Sequence, residues 1–395
     1  MKVTTTLVKG RVHYVGVNDT TKHLFENLWV LPYGVSYNSY LIADDKVALV
    51  DTVDARMFSE YLTKIRQVIG ERPIDYLIIN HMEPDHSGAI KLIRQYYPQI
   101  TIVGNKQTFG MIEGFYGIYD NRLVVKDGET LDLGHHKLTF HLTPMVHWPE
   151  TMMTYDATEQ ILFSGDAFGC FGALAGAYMD TNMDTTPYWD EMIRYYACIV
   201  GKYGEPVQRA LKKLSGLSLQ VIASTHGPVW TEEITRVVGV YDRLSRYEPD
   251  RDGVLIIYGS MYGNTERMAE VIAAQLSADG IKDICVHPVS TSDISDILKD
   301  VFRYKYILLG SPTYNGEIFP AVESVMHKIA ARQVKNRTFG FFGSYSWAGA
   351  AVKKMKAFAE ANNWQLIGDP VEMKHAMTPE IEEQCKRLAD ATAQR

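Results

Sequence analysis

The sequence predicts an α/β protein in two parts: a pair of sheets sandwiched between helices, then a doubly wound parallel sheet. Three observations carry this reading. Residues 1 to 247 hold many short apolar runs separated by turns and interleaved with helical patterns. A polar run broken by Pro and Gly, Glu248-Pro249-Asp250-Arg251-Asp252-Gly253, interrupts that texture. Beyond it strands and helices alternate regularly. The expected domains are 1–248 and 253–395.

In the first part, strands are expected at Val47–Asp51, Tyr76–Asn80, Ile100–Val103, Leu138–Leu142, Ile161–Ser164 and Gln220–Ala223, each a short apolar run. Residues 156–159 read as a hairpin turn. Helical spacing of apolar residues marks Met57–Ile69, Ala89–Tyr96, Pro187–Val200 and Pro206–Leu214. In the second part the strands are Val254–Tyr258, Asp283–Val289, Tyr306–Leu309, Thr338–Phe342 and Gln365–Glu372. Helices fall at Thr265–Ser277, Ala321–Ala331, Ala350–Ala361 and from Pro379 onward.

With 395 residues, 46% hydrophobic and 22% charged, the chain has material for two well-filled cores. The net charge is −7 and the basic residues are scattered, which argues against a nucleic-acid partner. Cys170, Cys198, Cys285 and Cys385 form no Cys-x-x-Cys pair, so neither a zinc ribbon nor a rubredoxin-type iron site is expected. Such sparse cysteines suit reduced thiols in a cytoplasmic protein. No signal peptide is read at the N-terminus, and no apolar run reaches the ~18 residues of a membrane span.

The densest chemistry lies at His81-Met82-Glu83-Pro84-Asp85-His86, just after an expected core strand. Two imidazoles and two carboxylates in so short a loop are costly to bury without a cation. Alternate side chains can face one centre while a neighbour faces a second, so the loop reads as half of a two-metal site. His147, Asp166 and His226 each follow a later apolar run. Alone, each is an ordinary turn residue; beside the 81–86 motif they complete a ligand set. The adjacent histidines His135 and His136 read as a solvated turn.

The second part opens with Ser260-Met261-Tyr262-Gly263-Asn264-Thr265 between a strand and a helix. Hydroxyls, an amide and free backbone N–H groups at a helix start can surround a phosphate. Neither the Gly-Lys-Ser/Thr of a triphosphate loop nor Gly-x-Gly-x-x-Gly is present, so a single terminal phosphate, as in FMN, fits better. Gly310–Gly316 and Gly343–Gly349 follow the third and fourth strands and combine glycines with aromatics. In an open parallel sheet a ligand sits at those strand ends.

The 81–86 motif with His147, Asp166 and His226 resembles the metallo-β-lactamase fold, an αββα sandwich, except that Glu83 stands where that family has His. A harder, carboxylate-rich donor set suits iron or manganese over zinc. The three loops of the second part resemble flavodoxin. That likeness implies phosphate contacts from Ser260, Met261, Tyr262, Gly263, Asn264 and Thr265. It implies ring contacts from Pro312, Thr313, Tyr314, Asn315, Ser344, Tyr345, Trp347 and Gly349. Together the halves resemble the flavodiiron proteins. The resemblance implies FMN and two non-haem irons: His81, Glu83 and His147 on one, Asp85, His86 and His226 on the other, Asp166 bridging. It implies reduction of O2 to water, of NO to N2O, or both. Tyr195, with His23 as companion, is the candidate beside the metals. An external donor is implied, rubredoxin or a reduced deazaflavin, and a head-to-tail homodimer or dimer of dimers with Trp148 and Trp347 in the gap. A zinc hydrolase fused to a flavodoxin-like module, and an electron carrier with a structural metal, are the competing readings.

Overall fold

A computed structural model describes residues 6–394. The described chain divides into two compact units, one ending at Arg246 and the other beginning at Tyr247.

In the first unit, one sheet runs in spatial order β1 (Thr6–Lys9), β2 (Val12–Tyr14), β3 (Tyr40–Ala43), β4 (Val47–Val50), β5 (Tyr76–Ile78), β6 (Thr101–Gly104) and β7 (Arg122–Val124). Strands β1 to β4 pair antiparallel, and β4 to β7 parallel. The second sheet runs β8 (Thr130–Asp132), β9 (Lys137–Leu142), β10 (Met152–Asp156), β11 (Ile161–Gly165) and β12 (Val221–Ser224). Only its β11–β12 pair is parallel. Side chains such as Leu41, Leu49, Leu77, Phe140 and Ile222 are fully buried. Tyr40 of β3 joins the two sheets: its hydroxyl donates to the Ser224 carbonyl at 2.8 Å, and its ring lies 5.4 Å from that of Phe163.

Helices cover these sheets for the reason the periodicity gave. Phe58–Ile69 buries Tyr61, Leu62, Ile65 and Ile69, one stripe of an amphipathic helix. A helix at Lys106–Tyr116 has weaker patterning and was not expected; Asn105 caps it, accepting from the Gln107 and Thr108 amides. Helices Ile234–Ser245 and Ile294–Arg303 were likewise not anticipated, nor were the short strands before Tyr40. The expected helix 187–200 is α-helical over Thr186–Tyr195 and then widens into a π-helical turn, Tyr196–Val200.

In the second unit β13 (Arg251–Tyr258) and β14 (Ile284–Pro288) pair with each other, and β13 continues to β15 (Tyr304–Tyr314) and β16 (Thr338–Tyr345). Two short strands, β17 (Gln365–Leu366) and β18 (Val371–Lys374), both pair with β16. All these pairs are parallel, in the doubly wound order 2-1-3-4-5. Helices Asn264–Ala278 and Pro379–Ala393 close one core around Val254, Ile256, Met268, Ile272, Leu308 and Leu388.

Three sequence expectations need correction. The polar run at 248–253 is not all linker, because β13 begins at Arg251 and pairs there with Tyr304. β15 and β16 run past their apolar centres, pairing as far as Pro312 and Ser344, so part of each expected loop is strand. The last strand is broken in two: Gly368 takes a left-handed φ of +63° and Pro370 has no amide to donate.

Candidate functional site

The expected metal-binding residues converge at the C-terminal ends of β5, β11 and β12 and beyond β9. Pro84 starts a single helical turn, Pro84–Ser87, that carries Asp85 and His86. Gly165 adopts a left-handed φ of +59°, which turns the chain so that Asp166 enters the cluster. Asp51, Met145 and Phe168, close in sequence or space to the ligand loops, also hold left-handed φ of 53°, 67° and 67°. Backbone strain of this kind gathers at functional sites.

The donors form two groups around Asp166. Its Oδ2 lies 3.1 Å from His147 Nε2 and 3.7 Å from His81 Nε2, and Glu83 Oε2 lies 3.0 Å from His147 Nε2. Its Oδ1 lies 3.0 Å from His86 Nε2 and 3.6 Å from His226 Nε2, with Asp85 Oδ2 3.2 Å from His226 Nε2. His86 is central enough to fall within 4.8 Å of His81, Glu83 and Asp166 as well. We assign it to the second group on its 3.0 Å approach to Oδ1.

Hydrogen bonds from outside fix the donors' directions. The Glu150 carboxylate accepts from His81 Nδ1 at 2.5 Å and from the Met82 amide at 2.9 Å, leaving His81 Nε2 aimed inward. The Asn105 amide donates to the Glu150 carbonyl at 2.5 Å, tying that acid to a helix start. His226 Nδ1 donates to the Ser36 carbonyl at 2.7 Å, and the Thr225 hydroxyl donates to Asp166 Oδ1 at 2.6 Å. Glu150, Ser36 and Thr225 were missed by sequence reasoning. Glu26 was missed too: burial and the neighbouring Glu83 raise its carboxyl pKa.

Electrostatics show what the cluster lacks. Burial opposes the charge on Asp166, yet His86, His147 and His81 hold its pKa well below the usual range. Burial would lower the His86 pKa, but Asp166 and Asp85 raise it well above its ordinary value. The carboxylates thus demand positive charge. Even so, both oxygens of Asp85, both ring nitrogens of His86 and His226 Nε2 have no hydrogen-bond partner among the described residues. His86 and Asp166, and His226 and Asp85, are close but not aligned for hydrogen bonds. Buried, directed and orphaned N and O atoms around a shared carboxylate are what two cations would satisfy. The residues fit a pair of irons.

Tyr195 is fully buried, its ring 5.7 Å from that of His226, and its hydroxyl has no partner among the described residues. The expected pairing with His23 is not made. His23 is exposed, and Phe25 fills the place beside Tyr195 at 6.2 Å. Trp148 lies edge-on to His81 at 5.1 Å. The expected solvated pair is also corrected: His136 is buried, its Nδ1 2.8 Å from Asp156.

In the second unit a cavity of about 380 Å³ opens at the ends of β13, β15 and β16. Ser260, Met261, Tyr262, Asn264, Thr265, Pro312, Thr313, Tyr314, Asn315, Ser344, Tyr345 and Trp347 line it, with Gly316, Ser346 and Ala348 in addition. Gly263 and Gly349 do not. Gly263 instead makes the turn, at φ +87°, and its amide donates to Ser260 Oγ at 3.1 Å. Gly349 lies beside the end of the exposed Glu372 side chain. Thr313 Oγ1 accepts from the Ala350 and Ala351 amides, at 3.0 and 3.1 Å, so it braces the neighbouring loop. No Lys or Arg lines the cavity. Hydroxyls and the helix start at Asn264 are the groups there that could hold a phosphate.

Residues 35–227 match the ODP family beta lactamase, and residues 256–387 match Flavodoxin. The chain is 32% identical to a nitric oxide reductase of Moorella thermoacetica, over 91% of this chain and 90% of that one. It is 35% identical to an anaerobic nitric oxide reductase flavorubredoxin of Salmonella paratyphi B, over 88% of this chain and 74% of that one. The rubredoxin oxygen:oxidoreductase of Desulfovibrio gigas superposes with a TM-score of 0.95 at 30% identity, covering 99% of this chain and 98% of that one. A buried two-group donor cluster in the first unit, a cavity lined by hydroxyls and aromatics in the second, and these likenesses across both place the chain in the flavodiiron protein family.

Proposed function

We propose that the protein is an oxidoreductase that reduces O2 to water, NO to N2O, or both, with electrons from an external donor passing through FMN to a di-iron centre. The observation that carries this reading is Asp166, whose two oxygens face two separate donor groups. His81, Glu83 and His147 are read as ligands of one iron, and Asp85, His86 and His226 of the other, with Asp166 between them. When bound, the irons supply electrons and Lewis-acid charge to a diatomic substrate, and FMN supplies the electrons that restore them.

The chain's own residues position and insulate this chemistry. Glu150 and Ser36 hold His81 and His226 in the tautomer that leaves Nε2 free. Burial raises the Tyr195 pKa well above that of a free phenol, so its hydroxyl stays protonated beside the His226 ring. The cradle residues Ser260, Asn264 and Thr265 take the FMN phosphate, and Tyr314, Tyr345 and Trp347 the ring. The two units are read as separate domains, each carrying one site.

The relatives' names support both substrates: nitric oxide for the Moorella protein, oxygen and rubredoxin for the Desulfovibrio one. Rubredoxin is therefore the proposed donor, and the four free cysteines suit a cytoplasmic location. Among the described residues no helix is long and apolar enough to cross a membrane. A head-to-tail homodimer is proposed on the exposure of Tyr262 and Trp347, 90% and 91%, at the cradle mouth. The test is anaerobic reduction followed by stopped-flow mixing with O2 and with NO. Iron- and FMN-replete protein should consume at least one of them; the same replete protein inert to both would end the reading.

A further inference from the structure

The edge strand of the second unit carries a group of metal-binding side chains far in sequence from those above. β14 is outermost in its sheet, and Cys285 and His287, two residues apart, share one face of it. Asp300 comes from helix Ile294–Arg303 and is 8% exposed. Cys285 Sγ lies 3.5 Å from His287 Nε2 and 3.4 Å from Asp300 Oδ2; His287 Nε2 lies 2.8 Å from the same oxygen.

We propose that Cys285, His287 and Asp300 bind a thiophilic divalent cation, Zn2+ by donor type, that clips β14 to the helix Ile294–Arg303.

A tetrahedral zinc with bonds of ~2.0–2.3 Å has ligand atoms roughly 3.3–3.8 Å apart. Both sulfur contacts already meet that. The His287–Asp300 contact, a hydrogen bond without the ion, opens by about half an ångström to admit it. One thiolate and one carboxylate neutralise the ion's charge, and water takes the fourth position. Sulfur among the donors disfavours Mg2+ and Ca2+. Asp283, just before β14, accepts from the Tyr304 hydroxyl at 2.6 Å and is not counted as a further ligand.

A nucleophilic cysteine is the other chemistry such a trio suggests, and the surroundings argue against it. Burial and then Asp300 push the Cys285 pKa to about 12, although Lys299 pulls the other way. A nucleophile needs the thiolate at neutral pH. A bound cation makes that thiolate regardless, because coordination removes the proton.

The test is Zn K-edge X-ray absorption on full-length, iron-loaded and FMN-replete protein given one equivalent of Zn2+ and desalted. One sulfur neighbour at about 2.3 Å is expected, alongside nitrogen and oxygen. The buried cluster of the first unit offers only nitrogen and oxygen, so sulfur reports on Cys285. The sulfur neighbour should vanish in Cys285→Ser, and Asp300→Asn should weaken zinc binding about 10-fold or more, with iron and FMN contents unchanged. Zinc that washes out, zinc with only nitrogen and oxygen neighbours, a sulfur neighbour that survives Cys285→Ser, or unchanged affinity in Asp300→Asn each overturns the proposal. If Cys285→Ser does not fold, the unsubstituted protein's spectrum decides.

Discussion

Each of the seven candidate iron ligands is at most 8% exposed, whereas Tyr262 and Trp347 at the candidate flavin cradle are 90% and 91% exposed. The first site is held from behind: Glu150, Ser36 and Thr225 each fix one donor. The second is held from beside: Ser260 braces Gly263, Thr265 meets Ser344 at 2.9 Å, and Thr313 braces Ala350. The difference follows from the guests. A small dry cation must be met by charges at fixed directions, and a misdirected buried carboxylate is expensive. A ring with a phosphate tail needs a flat face, a few N–H groups and an open mouth for electron exchange.

Substitutions at the two sites should therefore differ in size and in what they spare. Asp166→Ala is expected to have the largest effect: most of the iron is lost and turnover falls by several orders of magnitude, while FMN content holds. Metal analysis beside flavin absorbance checks this, and retention of both irons would break the assignment of Asp166 as the shared ligand. Glu150→Gln leaves every ligand in place but weakens the hold on His81. A loss of about 10- to 100-fold in iron affinity is expected from chelator competition. Equal affinity in the variant would mean that the 2.5 Å contact directs nothing.

Ser260→Ala removes one bracing hydroxyl from an open cradle. FMN should bind about 5- to 10-fold more weakly by flavin-fluorescence titration, about 1 kcal/mol, with iron content unchanged. A larger loss would show the cradle to be as tightly directed as the metal cluster. Trp347→Ala should be the mildest for the fold: thermal unfolding of the flavin-free protein should change by no more than about 0.5 kcal/mol, because the side chain is almost wholly exposed. A marked destabilisation would mean that the mouth is part of a packed interface in solution.

The same contrast explains what could be read before the structure. Apolar runs mark the strands, because burial on a pleated sheet imposes a local pattern that the eye can count. Helix Lys106–Tyr116 escaped because Gly110 and Gly114, on its exposed face, lower its helix propensity. The polar ends of β15 and β16 escaped because parallel pairing, not burial of large side chains, extends them. His136 looked like a surface turn because its partner, Asp156, lies on another strand.

By itself the sequence determined the donor types, their order and their positions after core strands, and the Ser-to-Thr loop that opens the second unit. Those features are local, so composition and spacing reveal them. Only the tertiary structure decided that Asp166 turns one oxygen to each group, that Glu150 directs His81 across 69 residues of chain, and that Phe25 rather than His23 neighbours Tyr195. Direction at a site is set by hydrogen bonds between distant segments, and no local spacing encodes which segments meet.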